Sequence, residues 1–196
     1  MNIETMYDTT EGVEEYTAMA VGYDGRIHVE RLVELLPPGS DVLELGIGPG
    51  VDLDMLAEIY QVVGSDRSQA FLDRYAQRRT GAVLLRLDAI TIETDRTFDA
   101  IYSNKVLHHL TVDEMCRSLE RQAQLIRPGG LLMHGLWAGT ETEQYQGLHV
   151  QNYTCETLAA VLPSALELVE CDPYAEMDED DSIRVVLQVR PDAVER

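Results

Sequence analysis

Short apolar runs of strand length alternate with segments of helical spacing along the first two thirds of the chain, and each run stops on a polar residue. Val42-Leu43-Glu44-Leu45 runs into Gly46-Ile47-Gly48-Pro49-Gly50, Val62-Val63-Gly64-Ser65 ends at Asp66, Ala82 to Leu87 ends at Asp88, and Phe98 to Tyr102 ends at Ser103-Asn104. Between them, apolar residues recur at intervals of three and four: Leu53, Leu56, Ala57 and Tyr60, then Phe71, Leu72 and Tyr75 behind a capping Ser68. Strands separated by helix-length segments are joined by crossovers, so they lie parallel with helices packed on the sheet. That predicts an α/β fold. The chain has 196 residues, enough for one domain with a full core. No repeat or Pro/Gly-rich linker divides it, so residues 1–196 read as a single domain.

The remaining elements fit the same scheme. Asp24 is placed to cap a helix carrying Ile27, Leu32, Leu35 and Leu36, stopped by Pro37-Pro38-Gly39. Thr111-Val112-Asp113-Glu114 matches a capping box, followed at helical spacing by Met115, Leu119, Ala123 and Ile126. Pro128-Gly129-Gly130 breaks that helix, and Leu131 to Leu136 reads as a fifth strand. Beyond it the character changes. Ala138 to Asn152 reads as polar and irregular, Thr154 starts a helix with Leu158, Val161 and Leu162, and Leu166 to Val169 and Ile183 to Val189 are β-like. The acidic stretch Asp172 to Asp181 between them reads as a solvated, hairpin-like connection, which sets an antiparallel strand at the end of the sheet. At the other end of the chain, Glu11 to Val21 reads as a helix. With Met6, Tyr7, Tyr16 and Met19 it makes residues 1–23 a candidate lid that closes over a substrate.

In an open parallel sheet a ligand binds at the carboxyl ends of the strands. Here consecutive ends carry Glu44 with Gly46, then Asp66, Asp88 and Asn104, a set that suits one extended ligand crossing them all. Gly46, Gly48 and Gly50 allow a tight turn and close backbone approach, and the following helix aims its free N–H groups at the same place. Asp66 stands where an acid accepts both hydroxyls of a ribose. Asp88 can accept from an adenine amino group, with the Ala89 N–H beside it. A dinucleotide is the competing ligand. Its fingerprint wants a third glycine where this chain has Val51, and its pyrophosphate wants positive charge that the loop lacks. S-adenosylmethionine (SAM) carries a sulfonium and an ammonium instead, which acidic surroundings suit.

At this point the sequence resembles the class I SAM-dependent methyltransferases of small-molecule type. Val42 to Gly50 looks like that family's first motif, Val63-Gly64-Ser65-Asp66-Arg67-Ser68 its second, Asp88-Ala89 the adenine-binding pair, and Phe98 to Asn104 with Leu107-His108-His109-Leu110 its fourth. Leu125 to Gly130 is similar to the segment before its fifth strand, and Tyr23-Asp24-Gly25 to its N-terminal lid. The resemblance implies a Rossmann-like, doubly wound seven-stranded sheet, mostly parallel with an antiparallel last strand. It implies SAM as cofactor and S-adenosylhomocysteine as product. Gly46 to Gly50 would surround the methionine part, which Asn104 would adjoin, Asp66 would hold the ribose and Asp88 the adenine. Tyr23, Glu44, Arg67 and Ala89 complete the expected cofactor site. One departure is Leu87, where many members have glycine.

Charge narrows the acceptor. Asp and Glu number 35 against 15 Lys and Arg, a formal net charge of −20 that repels phosphate backbones. A small-molecule acceptor is expected and a nucleic acid is not. The excess of acid is read either as compositional bias or as adaptation to high salt. No apolar run is long enough to span a bilayer, and Met1 to Thr10 does not resemble a secretory signal. Cys116, Cys155 and Cys171 are odd in number and far apart, so neither a zinc site nor a disulfide framework is expected, and a reducing cytoplasm is the simplest location. A monomer or a homodimer is expected. Methyl transfer needs positioning and, where the nucleophile carries a proton, a base. His108 and His109 are the candidate catalytic residues, although adjacent histidines point different ways and either can simply pack against the fourth strand. His134 is read as a buried strand residue, Lys105 lies near the end of the fourth strand, and Tyr145, His149 and Tyr153 are candidate acceptor contacts or a surface loop.

Overall fold

A computed structural model of the protein describes residues 7, 9–145 and 147–190. Met6, expected in the lid, lies outside them, as does the side chain of Tyr145. In chain order the strands are β1 (Asp41–Leu45), β2 (Gln61–Asp66), β3 (Val83–Arg86), β4 (Phe98–Asn104), β5 (Ile126–Trp137), β6 (Thr142–Tyr145), β7 (Leu148–Gln151), β8 (Leu166–Tyr174) and β9 (Ser182–Val189). The helices are α1 (Thr10–Met19), α2 (Arg26–Leu35), α3 (Val51–Ala57), α4 (Gln69–Arg78), α5 (Val112–Leu125) and α6 (Cys155–Val161), with a 3-10 turn at Leu107–His109.

Seven strands form one sheet in the order β3-β2-β1-β4-β5-β9-β8. β1 is parallel to β2 and β4, β3 to β2, and β5 to β4. β9 runs antiparallel to both β5 and β8, so it alone opposes the rest of this sheet. The fold is Rossmann-like and doubly wound. From β1 the chain winds outward to β3, then returns to β4 on the other side of β1. The switch point of the sheet therefore lies between β1 and β4, where the end of β1 and the start of α3 open a crevice.

Strand alternation divides the core in two. Val42 and Ala100 face Val29, Leu32 and Leu56 of α2 and α3, while Leu43 and Ile101 face Met115, Leu119 and Leu125 of α5. Each of the Val, Leu, Ile and Met side chains contributes about 1.5–3 kcal/mol by leaving water, so the strand ends are anchored by packing on both faces. The capping box at Thr111 and Glu114 forms as the sequence predicts.

Five expectations need correcting. Gly25 rather than Asp24 caps α2, and Asp24 accepts a hydrogen bond from the Arg26 N–H at 3.0 Å. The buried face of α2 is His28, Val29 and Leu32, leaving Ile27 42% exposed, because the helix is rotated from the phase its aliphatic residues suggest. Residues 138–152 are not irregular: β6 and β7 form a two-stranded antiparallel hairpin. Its residues are polar because main-chain bonds hold it together, and among its described side chains only Leu148 is buried. β8 continues to Tyr174, past a register shift between Leu168 and Glu170, which shortens the acidic connection to residues 175–181. Finally, Cys155 and Cys171 form a disulfide with their Cα atoms 5.8 Å apart. The extension of β8 brings Cys171 against the first residue of α6, and the ground for reading a reducing compartment from the cysteines is removed. Cys116 is free.

Candidate functional site

The β1–α3 loop is shaped by close packing. Gly46 has φ +74°, and a Cβ there would lie 2.5 Å from Val106 Cγ2. Gly50 has φ +80°, and a Cβ there would lie 2.2 Å from the Tyr75 ring. Both positions therefore require glycine on two counts. Gly50 caps α3 but does not line the cavity beside the loop, so its expected contact with a ligand gives way to a packing role. The N–H groups of Gly46 and Ile47 both donate to the Ser65 carbonyl, at 2.8 and 2.9 Å, tying the loop to the end of β2.

Asp66 completes that tie. Its Oδ2 accepts from the Gly48 N–H at 3.0 Å and its Oδ1 from the Ser68 N–H at 2.8 Å, and the residue is only 7% exposed. Burial pushes its carboxyl up, and the N–H groups of Ser68 and Gly48 draw it back down. The carboxylate thus holds the glycine loop and the entry to α4 in one arrangement while lining the cavity.

A second acid does comparable work unseen in the sequence. Asp52, in the first turn of α3, accepts from the Gly25 N–H at 2.7 Å, from the Tyr102 hydroxyl at 2.7 Å and from Asn104 Nδ2 at 3.2 Å. It joins the start of α2, the end of β4 and the glycine loop. The available signal was an acid two residues past Gly50, at a helix N-terminus that favours negative charge, but its partners lie 27 to 52 residues away. Glu44 lies beside it, 2% exposed, and its Oε2 has no hydrogen-bond partner among the described residues. Burial, reinforced by Asp52 and Asp66, pushes its carboxyl well above the usual range. Three clustered acids of which one is orphaned fit a ligand that brings cations, as the sulfonium and ammonium of SAM do. They do not fit a pyrophosphate.

These groups open on a cavity of about 330 Å³ at the carboxyl ends of β1, β2 and β4. Of the expected cofactor residues, Tyr23, Glu44, Gly46, Gly48, Asp66, Arg67, Asp88, Ala89 and Asn104 all line it. Asp88 is exposed, and its Oδ1 is already engaged by the N–H groups of Ile90 and Thr91 at 2.8 and 3.4 Å. Its second oxygen faces fewer demands.

The far side of the cavity is closed by segments from both ends of the chain. Tyr16 of α1 meets Tyr7 and Phe71 edge-on, with ring centroids 5.2 and 5.8 Å apart, and Tyr7 lies 6.0 Å from the His109 ring. His109 Nδ1 is 2.9 Å from the carbonyl oxygen of His149 on β7. A carbonyl only accepts, so Nδ1 carries the hydrogen and the neutral ring keeps its lone pair on Nε2. Burial lowers the His109 pKa, which favours that neutral form. His108 is a correction. It is 3% exposed, does not line the cavity and packs edge-on against Trp137, because successive residues of a 3-10 turn point a third of a turn apart. His134 is buried on β5 beside the Ser103 hydroxyl, 2.8 Å from Nδ1. Tyr153 is core, 2% exposed, and His149 acts through its backbone.

Two further residues line the cavity, Lys105 at the end of β4, where the sequence places it, and Glu176. Lys105, at φ +55°, donates to the Ser182 hydroxyl at 2.6 Å and the Leu136 carbonyl at 3.2 Å, with Nζ 3.6 Å from the centre of the Trp137 ring. Burial lowers its pKa to about 8. Glu176, from the connection expected to be solvated, reaches the cavity because Asp181 folds that connection back. Asp181 accepts from the N–H groups of Glu176, Met177 and Asp178 at 2.8, 2.9 and 3.0 Å.

Known proteins agree with this geometry. A family profile described as a methyltransferase domain matches residues 42–130, from β1 into β5. An uncharacterized methyltransferase of Geobacillus kaustophilus, GK2543, is 31% identical over 147 residues, covering 71% of this chain and 66% of its own. The tRNA (carboxymethyluridine(34)-5-O)-methyltransferase ALKBH8 of Macaca fascicularis is 33% identical over 112 residues, but those span 57% of this chain and only 17% of that protein. In structure, the chain is similar to Burkholderia thailandensis 1,6-didemethyltoxoflavin-N1-methyltransferase, with a TM-score of 0.78 at 18% identity over 94% of this chain and 86% of that one. Glycine loop, strand-end acids, sheet order and relatives point the same way, and the chain belongs to the class I SAM-dependent methyltransferases.

Proposed function

We propose that this chain moves the methyl group of SAM to a small-molecule acceptor, with S-adenosylhomocysteine as the other product. The observation that carries the reading is a single cavity lined both by the acid cluster of Glu44, Asp52 and Asp66 and by a neutral histidine, His109, whose Nδ1–H faces the His149 carbonyl so that the ring's lone pair lies on Nε2. Glu44, Asp52 and the Gly46–Gly48 backbone would hold the methionine part, Asp66 the ribose hydroxyls, and Asp88 with Ala89 the adenine. When bound, SAM supplies a methyl already activated on sulfonium. The chain's own work is then to place the acceptor, exclude water and take up a proton. α1 and the Tyr7–Tyr16–Phe71 cluster serve as the lid, and His109 Nε2 is the base, oriented by the His149 carbonyl.

A tRNA acceptor is the second reading, favoured by the tRNA methyltransferase ALKBH8, similar over 112 residues. The net charge of −20 and the acids around the cavity weigh against a polyanion. A SAM-binding protein without catalysis is a third. Calorimetry with S-adenosylhomocysteine and NAD, followed by transfer of labelled methyl to a panel of small molecules and to bulk tRNA, separates them. Binding of S-adenosylhomocysteine with transfer to small molecules is expected. Transfer to tRNA alone, or binding with no transfer at all, would defeat the proposal.

A further inference from the structure

Resting on that reading, the acceptor end of the cavity has a chemical preference of its own. Beyond the four acids assigned to SAM, Glu44, Asp52, Asp66 and Asp88, the lining includes Asp24, Glu114 and Glu176. Glu176 is the informative one. It is half-buried, and its position is fixed by the Asp181 cap on its N–H. Its charge acts on Tyr16 of the lid, on Lys105 and on Tyr174, so it sits where lid, β4 end and β8–β9 connection converge. The two basic lining residues are Arg67, at the end of β2 beside the ribose acid, and Lys105. The Lys105 ammonium is spent on the Ser182 hydroxyl, the Leu136 carbonyl and the Trp137 ring. An anionic acceptor would thus meet carboxylates and find Lys105 already engaged. An amine would find a carboxylate on one side and the His109 lone pair on another.

We infer that the acceptor is an amine-bearing small molecule, held by the Glu176 carboxylate and deprotonated at His109 Nε2. The bookkeeping of atoms is simple. An incoming ammonium first loses a proton to His109, which passes it to solvent. The freed nitrogen lone pair then forms the N–CH3 bond as the C–S bond of the donor breaks, its electron pair staying on sulfur. The product leaves as the N-methylated ammonium or loses one more proton by the same route. Throughout, an N–H of the amine donates to Glu176, a charge-assisted bond of the stronger kind.

The test uses the full chain with SAM and size-matched amines, phenols and thiols, comparing the wild type with Glu176→Gln and Glu176→Asp. Amines should be methylated, and Glu176→Gln should raise their KM about tenfold or more. Glu176→Asp should recover part of that loss. S-adenosylhomocysteine affinity, which also reports folding, should stay unchanged in both variants. An unchanged amine KM in Glu176→Gln overturns the inference. So does an equal loss of S-adenosylhomocysteine affinity, which would move Glu176 to the donor side, or methylation of phenols or thiols but not amines. Binding of S-adenosylhomocysteine with no acceptor methylated instead defeats the proposed function itself.

Discussion

At the carboxyl ends of β1, β2 and β4 the polar groups are held in place by main chain that is itself packed on both faces of the sheet. Asp66 is fixed by two N–H groups and Asp52 by one N–H and two side chains. The cover over the other end of the same cavity is assembled differently. α1 rests on aromatic edges, β7 meets the His109 turn through one carbonyl, and the 175–181 connection hangs on Asp181 and the Lys105–Ser182 bond. The end proposed for the donor is therefore held by packed main chain. The end proposed for the acceptor depends on a few long-range contacts outside the sheet, the kind of segment in which one fold varies its ligands.

The comparison can be broken most directly at the donor end. Asp66→Ala removes the ribose acceptor and orphans the Gly48 and Ser68 N–H groups, so S-adenosylhomocysteine affinity should fall about 10³-fold in calorimetry. A fall of threefold or less would mean that the strand end is not the ribose site. The next test is of the disulfide between α6 and β8, which lies outside the cavity lining. Replacing Cys155 and Cys171 by serine opens a loop of 16 residues, and the loop-closure model puts the loss near 3 kcal/mol in urea unfolding. S-adenosylhomocysteine affinity should survive that change; its loss would show that the donor end and the disulfide are not independent. His109→Gln comes third. It should lower kcat about 10²-fold while leaving S-adenosylhomocysteine affinity alone, and an unchanged kcat would remove the base.

The smallest effect is that of Glu44 on acid stability. Burial holds both His28 and His134 at pKa values of about 3, so the folded chain keeps them neutral. Between pH 6.5 and pH 3 the unfolded chain takes up protons that the folded chain refuses, and stability falls with pH by about 1.4 kcal/mol per unit for each histidine. Glu44 acts in the opposite sense. Its raised pKa means the folded chain binds a proton the unfolded chain lacks, a contribution lost as pH rises through that value. Glu44→Gln should therefore steepen the decline just above the ordinary glutamate range, read as the slope of unfolding stability against pH. An unchanged slope would show that Glu44 is ionised in the free protein.

The same division explains what the sequence revealed. Strand ends, the glycine loop and the Thr111–Glu114 capping box were legible because each is set by residues within a few positions of one another. Gly50 looked like a ligand contact since its spacing matched, but its φ and its approach to Tyr75 depend on packing against α4. Asp52, Glu176 and the Cys155–Cys171 pair were hidden because their partners arrive through topology. Asp52 reads as one more surface acid until β4 brings Tyr102 and Asn104 to it. The aliphatic pattern of α2 misled, since His28 takes a buried position where it meets Tyr174, 3.1 Å from the hydroxyl. Polar core positions of this kind are invisible to hydrophobic periodicity.

The pinned lysine has a practical corollary. Lys105 is the only lysine in the chain, so reagents that seek amino side chains have a single target, and it is tucked under an indole. Acylation with a small activated ester should be slow while the 175–181 connection is seated and fast once it lifts. The extent of labelling, read by mass, becomes a gauge of how often the acceptor door stands open, with no substrate in hand.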